Sequence, residues 1–331
     1  MGALQPLAER ARRLRVAPRD ARVPELTGAA RIGDSASMTR IALGDWTVHT
    51  LETGFLWLDG GSMFGSVPKP LWSRAHPPDD RNRIRLAMRC LLVEGAGRQI
   101  LVDDGLGDKF APKLMDIYRV EHGTHTLERA LGACDLTVDD VTDVVLTHLH
   151  FDHAGGSTRR DGAHLVPRLP RARYYVQRRN LENARHPNPR ERASYLPENF
   201  EPLAEAGVLT LWEGPATPWP GFEIFTADGH TRGQQLVRIA GGGEAVYFVA
   251  DLVPTASHVR IPYVMGYDVA AIETMEEKRA VLARAAGEGA WVCLEHDPAV
   301  AFARPVADGD DFAWGEQRPA DAVTLVPGGR G

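Results

Sequence analysis

The sequence is short of cysteine, of lysine and of long apolar runs, and each shortage narrows what it can be. Cys90, Cys134 and Cys293 are odd in number and far apart in 331 residues. They offer neither a disulfide framework nor a CxxC metal motif, so a reducing cytoplasm is the expected location. No stretch approaches the roughly 18 consecutive apolar residues of a membrane-spanning helix. The opening MGALQPLAERARRLRVAPRD holds arginines but no apolar core, unlike a secretory signal. Four lysines stand against 34 arginines, a bias that reads as genome composition rather than function. Charge is uneven along the chain. Residues 1–40 carry eight Arg against four Asp or Glu, a net of +4; the whole chain is at −6, which leaves −10 for residues 41–331. An acidic body speaks against nucleic acid as the main partner. The expected organisation is a basic N-terminal extension over residues 1–40, then a single domain over 41–331.

Residue patterns predict an α/β chain. DWTVHTLE (45–52) alternates as a strand, and a Gly- and Pro-rich loop follows over 59–72. RLAMRCLLVE (85–94) and QILVDDG (99–105) read as a hairpin joined at GAG. TLERALGAC (126–134) reads as a short helix with a threonine cap. VTDVVL (141–146), ARYYVQ (172–177), FEIFTADGH (222–230) and EAVYFVAD (244–251) read as strands, with a helical stretch to about Arg185 after the second. Residues 271–289 form the clearest amphipathic helix, and WVCLEHD (291–297) is expected to be the final strand.

The stretch that carries chemistry is THLHFDHAGG (147–156). Three histidines and an aspartate fall in six positions, from only twelve histidines in the chain. Imidazole and carboxylate suit zinc, iron and manganese, and a loop at a strand end is where a scaffold presents such groups. His148 and His150 are expected at one metal, with Asp152 and His153 directed toward a second. Three later strands also end in a candidate ligand: His230, Asp251 and His296. Strand alternation through WVCLEHD sets Cys293 on the opposite side from His296, which leaves the cysteine out of the site.

This order of motifs, HxHxDH, then Gly-His, then Asp, then His, resembles the metallo-β-lactamase superfamily of dinuclear metallohydrolases. The resemblance covers about residues 41–300. Within it, LDGGSMFGSVPKPLW, THLHFDHAGG, ARYYVQ and ADLVPTASH resemble the quorum-quenching lactonase branch, with methyl parathion hydrolase-like enzymes as near relatives. The resemblance implies an αββα sandwich holding two divalent ions, zinc first, with iron, manganese or cobalt as alternatives. It implies that His148, His150 and His230 bind the first ion, Asp152, His153 and His296 the second, and that Asp251 bridges them. It also implies a lactonase acting on acyl-homoserine or similar lactones through a metal-bridging hydroxide, with Asp152 passing a proton to the leaving alkoxide. The alternatives are a phosphotriesterase or arylesterase of the methyl parathion hydrolase type, or a metal-binding ligand sensor without turnover. The expected partner is a small-molecule ester, with neither nucleic acid nor membrane; a homodimer is compatible with the sequence.

Other residues take supporting roles in this reading. Ligating imidazoles donate their second N–H to a nearby acceptor, and Thr147, Asp143 and Thr231 are close enough in sequence to serve. Gly155 and Gly156 are read as a tight turn behind the metals. One departure stands out. Some acyl-homoserine lactonases carry a tyrosine three residues after the bridging aspartate, where this chain has Pro254. His258, Tyr263 and Tyr267 are the candidates to replace it, with His258 placed in the substrate pocket. Met63, Phe64, Val67 and Trp72 are the expected apolar cover.

Overall fold

The computed structural model describes residues 38–320. Most of the expected basic extension therefore lies outside the described residues, and the first strand already includes Arg40.

β1 (Arg40–Leu43), β2 (Trp46–Asp59), β3 (Arg83–Gly95) and β4 (Arg98–Val102) run antiparallel in succession. The β3–β4 turn is Ala96-Gly97, with φ of 48° and 72°, the left-handed pair that a two-residue hairpin needs. β5 (Asp143–Val145) joins β4 in parallel. β6 (Thr158–Asp161) and β7 (His164–Pro167) form a separate hairpin. β8 (Arg173–Gln177) and β9 (Leu209–Trp212) then extend the first sheet in parallel beyond β5, giving seven strands. The second sheet has six strands in chain order: β10 (Phe222–Ala227), β11 (Gln234–Gly241), β12 (Glu244–Phe248), β13 (Trp291–Cys293), β14 (Val300–Asp308) and β15 (Asp311–Pro319). WVCLEHD is thus not the last strand. β14 and β15 escaped the pattern because bulges near Ala303 and Pro305 break their alternation and their far halves are charged and exposed.

Both faces of each sheet are covered, which is why the strands read as nearly unbroken apolar runs. Val48, Val93, Val102 and Val145 of the first sheet meet Ile224, Val237, Val246 and Phe248 of the second in the central core. Their chain neighbours point outward: Leu92, Leu101 and Val144 pack beneath helices on one side, and Tyr247 and Val292 on the other. Each fully buried Val or Leu contributes about 1.5–3 kcal/mol by leaving water.

Among the helices, α1 (Gly60–Phe64) and α2 (Lys69–Trp72) occupy the stretch expected to be a loop. Asp59 starts α1 by accepting from the Ser62 N–H at 2.8 Å. α3 (Pro112–Ile117), α4 (Leu127–Gly132, capped by Thr126) and α5 (Phe151–Ala154) are short. α6 (Arg178–Arg185) and α7 (Glu201–Glu205) lie against the first sheet, whose outer core includes Leu181 and Leu203. α8 (Ala271–Glu288) covers the second sheet through Val281, Leu282 and Ala285 and stops at Gly289 in the left-handed conformation. The result is an αββα sandwich. Among the described residues, no helix is long and apolar enough to cross a membrane.

The connectivity fixes where function can sit. β4, β5 and β8 point one way in the first sheet. In the second, β10 and β12 both run antiparallel to β11, and β13 runs parallel to β12. The segments after β5, β10, β12 and β13 carry the His-rich loop, His230, Asp251 and His296, and they meet at one edge.

Candidate metal centre

All seven sequence-derived candidates come together there. Ligand atoms of His148, His150, His230 and Asp251 lie within 4.8 Å of one another, as do those of Asp152, His153 and His296. Asp251 reaches both groups: Oδ2 is 3.0 Å from His230 Nε2, and Oδ1 is 3.1 Å from His296 Nε2. Its predecessor Ala250 has φ of 44°, a strained conformation for a non-glycine residue that aims the aspartate inward.

The outward ring nitrogens settle the tautomers. His296 Nδ1 donates to the Ala87 carbonyl at 2.8 Å. His230 Nδ1 donates to Asp268 at 2.9 Å, and His153 Nδ1 to Asp103 at 3.0 Å. The Thr147 hydroxyl gives its proton to Asp103 at 2.7 Å, so it accepts from His148 Nδ1 at 3.0 Å. In neutral rings these bonds turn lone pairs inward. The inward nitrogens then confront each other: His148 Nε2 and His150 Nδ1 at 3.0 Å, His153 Nε2 and His296 Nε2 at 3.3 Å. Lone pairs facing each other, as on His153 and His296, call for a proton or a cation between them, and the donor set fits divalent metal ions.

Electrostatics point the same way. Burial, then neighbouring imidazoles, holds His148 and His150 well below the ordinary histidine range. Burial also opposes charge on His153, but Glu295, Asp152 and Asp251 outweigh it and raise that ring well above its usual value. His230 and His296 rise to about 10 and about 9 against burial, chiefly through Asp251. Burial works against ionised Asp251, yet His230, His296 and His153 keep it well below the carboxylate range. Carboxylates thus draw positive charge toward His153, His230 and His296, while burial disfavours it on His148 and His150.

A cavity of about 250 Å³ opens onto this centre, with His150, Asp152, His230, Asp251 and His296 in its lining. Leu58, Met63, Leu86, Phe151 and Met265 supply apolar walls, and Arg190 and Tyr267 add polar groups.

The family model of the metallo-beta-lactamase superfamily matches residues 87–329. This chain belongs to that superfamily. It is 28% identical over 215 residues to a probable metallo-hydrolase of Mycobacterium tuberculosis, covering 56% of this chain and 64% of that protein. It is 27% identical over 192 residues to an N-acyl homoserine lactonase of Azorhizobium caulinodans, covering 55% of this chain and 66% of the lactonase. The matched region is thus just under two-thirds of either relative's length. Among solved structures, a probable metal-dependent hydrolase from Staphylococcus aureus superposes with a TM-score of 0.76 at 28% identity, covering 83% of this chain and 99% of that one. The dizinc quorum-quenching lactonase AidC, solved with an acyl-homoserine product, gives 0.70 at 19% identity, covering 85% and 98%. At that identity the likeness is one of fold.

Several expectations for this superfamily member need correction. His258 is not part of the cavity lining. It is 1% exposed, its Nε2 donates to the Met63 carbonyl at 2.8 Å, and its Nδ1 accepts from the Thr255 hydroxyl at 2.7 Å. Its ring stacks on Phe64 at 4.7 Å, and burial pushes its pKa down to about 3. His258 is a neutral pin between α1 and the turn after Asp251, held away from the cavity lining. Phe64 and Trp72 stack on each other in the core, so Met63 alone of the expected apolar cover lines the cavity. Tyr263 packs edge-on against Phe64, whereas Tyr267 does face the cavity. Pro254 accepts from the His296 N–H at 3.0 Å. Asp143 touches no imidazole of the centre; it binds Arg98 at 2.7 Å and the Tyr175 hydroxyl at 3.0 Å. Thr231 acts one step removed, through Tyr195 at 2.6 Å and Glu191. β13 ends at Cys293, so alternation does not extend to His296; Cys293 faces the central core.

Sequence reasoning missed Asp103, Asp268, Glu191 and Glu295. Asp103 and Asp104 close the strand QILVDDG, so the strand-end rule that singled out Asp251 applied to them as well. Glu295 is fully buried beside His153, and burial pushes its carboxyl up to about 7.

Gly155 and Gly156 do lie in a tight turn, Gly155–Ser157, but close packing against backbone is what requires glycine there. Gly155 has an ordinary φ of −67°. A Cβ on Gly155 would sit 2.1 Å from the Leu106 carbonyl oxygen, and one on Gly156 2.1 Å from that of Asp104. Backbone cannot swing aside as a side chain does. Gly156→Ala is therefore expected to destabilise by about 1–3 kcal/mol and to lower metal retention. Thermal melts with metal analysis check this; an unchanged melting temperature would mean that the segment shifts freely.

Proposed function

We propose that this chain is a dinuclear metal-dependent hydrolase of ester-type bonds, with acyl-homoserine or similar lactones as its substrates. The observation that carries the reading is an apolar cavity opening directly onto both His/Asp groups. His148, His150 and His230 would hold one ion and Asp152, His153 and His296 the other. Asp251 would bridge them, supported by its two oxygens each facing a different group. Zinc is the first choice for this borderline donor set, with iron, manganese and cobalt next. Bound ions supply Lewis acidity and a water that is acidic near neutral pH.

The chain's own residues do the rest. The apolar walls bind an acyl chain and exclude water. Asp152 borders the cavity and would hand a proton to the leaving alkoxide. Tyr267, which lines the cavity, would take the role left empty at Pro254. Burial pushes its phenol up to about 12, so it stays protonated and can donate to a substrate carbonyl. A second reading, hydrolysis of aryl esters or aryl phosphotriesters, is favoured by Tyr118 and Phe151, which stack at 5.4 Å and both line the cavity.

The test is a turnover panel on metal-loaded protein: acyl-homoserine lactones of varied chain length, aryl phosphotriesters, a thioester and a cephalosporin. The expected result is the highest kcat/KM on a lactone. Aryl phosphotriesters ahead of all lactones would favour the second reading. Bound metal with no turnover would point to a ligand sensor.

A further inference from the structure

A second cavity, of about 160 Å³, shares no lining residue with the first. It is bordered by Thr53, Asp104, His122, Glu128 and Arg168, among others. Two of its buried polar atoms, Asp104 Oδ1 and His122 Nε2, have no partner. Asp104 is 1% exposed; Ser157 donates to its Oδ2, and Oδ1 has no partner. His122 Nδ1 lies 3.2 Å from the Thr53 carbonyl, which can only accept, so that nitrogen carries the proton. In the neutral ring Nε2 is then a lone pair, and it too is buried without a partner. The Thr53 hydroxyl already donates to the Met88 carbonyl at 2.8 Å.

The cation at this cavity is already engaged. Arg168 donates through Nε to the Gly156 carbonyl at 3.0 Å, through one terminal nitrogen to Glu128 and through the other to Asp108. Nearby Lys109 donates to the carbonyls of Gly155 and Thr158 at 2.5 and 2.8 Å. Asp108 and Glu128, each paired with Arg168, are 66% and 49% exposed at the rim and carry one negative charge more than that single cation offsets. Neither cation donates to Asp104 Oδ1 or His122 Nε2, so those two acceptors stay open to a ligand's donors.

We propose that this second cavity binds a small primary ammonium compound, whose N–H groups donate to Asp104 Oδ1 and His122 Nε2 while Glu128 and Asp108 attract it electrostatically. An ammonium on a carbon skeleton offers three donors that can reach separated acceptors. A bare metal ion fits less well. Among the described residues, the groups whose ligand atoms converge within 4.8 Å include neither Asp104 nor His122. The volume is also roughly tenfold what a single water requires. The site is separate from the first cavity, with no lining residue in common. It does adjoin the His-rich loop, since the Asp104 N–H donates to the His153 carbonyl at 2.9 Å.

Calorimetry and thermal shift on metal-loaded full-length protein test this, with methylamine, ethanolamine and butylamine hydrochlorides as probes. Controls at equal ionic strength are sodium chloride, tetramethylammonium chloride, magnesium chloride and calcium chloride. At least one amine is expected to bind saturably with a Kd in the range of about 0.1–10 mM. Asp104→Asn and His122→Phe should each weaken it at least about tenfold, equivalent to losing one charge-assisted contact. His122→Phe leaves the Asp104–Ser157 contact untouched, so it decides the matter if Asp104→Asn fails to fold. The proposal is overturned if no amine saturates, if tetramethylammonium binds as well, or if His122→Phe binds amines like the wild type. Saturation by magnesium or calcium alone, with loss in the same variants, would replace it with a metal site.

Discussion

Asp251→Asn is expected to lower kcat by at least about 10²-fold, the scale of losing a major electrostatic element, and to empty at least one metal position. Asparagine keeps the shape of the side chain and removes its charge. The carboxylate is 7% exposed, with one oxygen 3.0 Å from His230 Nε2 and the other 3.1 Å from His296 Nε2. An amide would place an N–H where one of those oxygens stood, aimed at a nitrogen or at the ion it should hold. Two cations would then face each other with one compensating charge fewer, and repulsion in a partly desolvated site is severe. Elemental analysis and lactone turnover, on the same preparation, read the two effects separately. Two ions per chain with nearly full activity would end both the bridging assignment and the dinuclear mechanism built on it.

What was legible in the sequence was whatever is local. The spacing in THLHFDHAGG confines four side chains to one loop after β5, and polar residues closing apolar strands flagged His230, Asp251 and His296. The residues that orient those side chains were harder to find, because sheet pairing brings them close while the chain keeps them apart. Asp143 is four residues before Thr147, yet it begins β5 and lies at the strand end away from the His-rich loop. Asp103 is 44 residues from Thr147, yet β4 lies parallel beside β5, so the residues following both strands become neighbours. His258 misled for the converse reason. It follows Asp251 closely, but the turn at Thr255 carries its ring back to the Met63 carbonyl. The Gly/Pro punctuation of residues 59–72 hid two short helices whose Phe64 and Trp72 are core residues, a case of tertiary burial outweighing local propensity.

The pair Asp103 and Asp143 turns that distinction into a measurement. Asp103 is fully buried and takes three donors: the Thr147 N–H at 2.6 Å, the Thr147 hydroxyl at 2.7 Å and His153 Nδ1 at 3.0 Å. A carboxylate accepts all three on two oxygens, whereas an amide has one accepting atom. In Asp103→Asn at least one donor must therefore face an N–H. An amide nitrogen at the Oδ2 position opposes both the Thr147 hydroxyl, which fixes His148, and His153, whereas at Oδ1 it opposes the Thr147 N–H that holds the start of the loop. The expected cost is about 10–100-fold in metal affinity, the usual scale for a partner that orients a ligand. Asp143→Asn disturbs bonds to Arg98, Thr142 and Tyr175 at the far end of the strand, so it should alter stability and spare metal affinity. Competition against a chelator of known affinity, run on both variants under matched conditions, separates them. Equal weakening in the two would mean that metal retention follows global stability, and the orienting role given to Asp103 would fall.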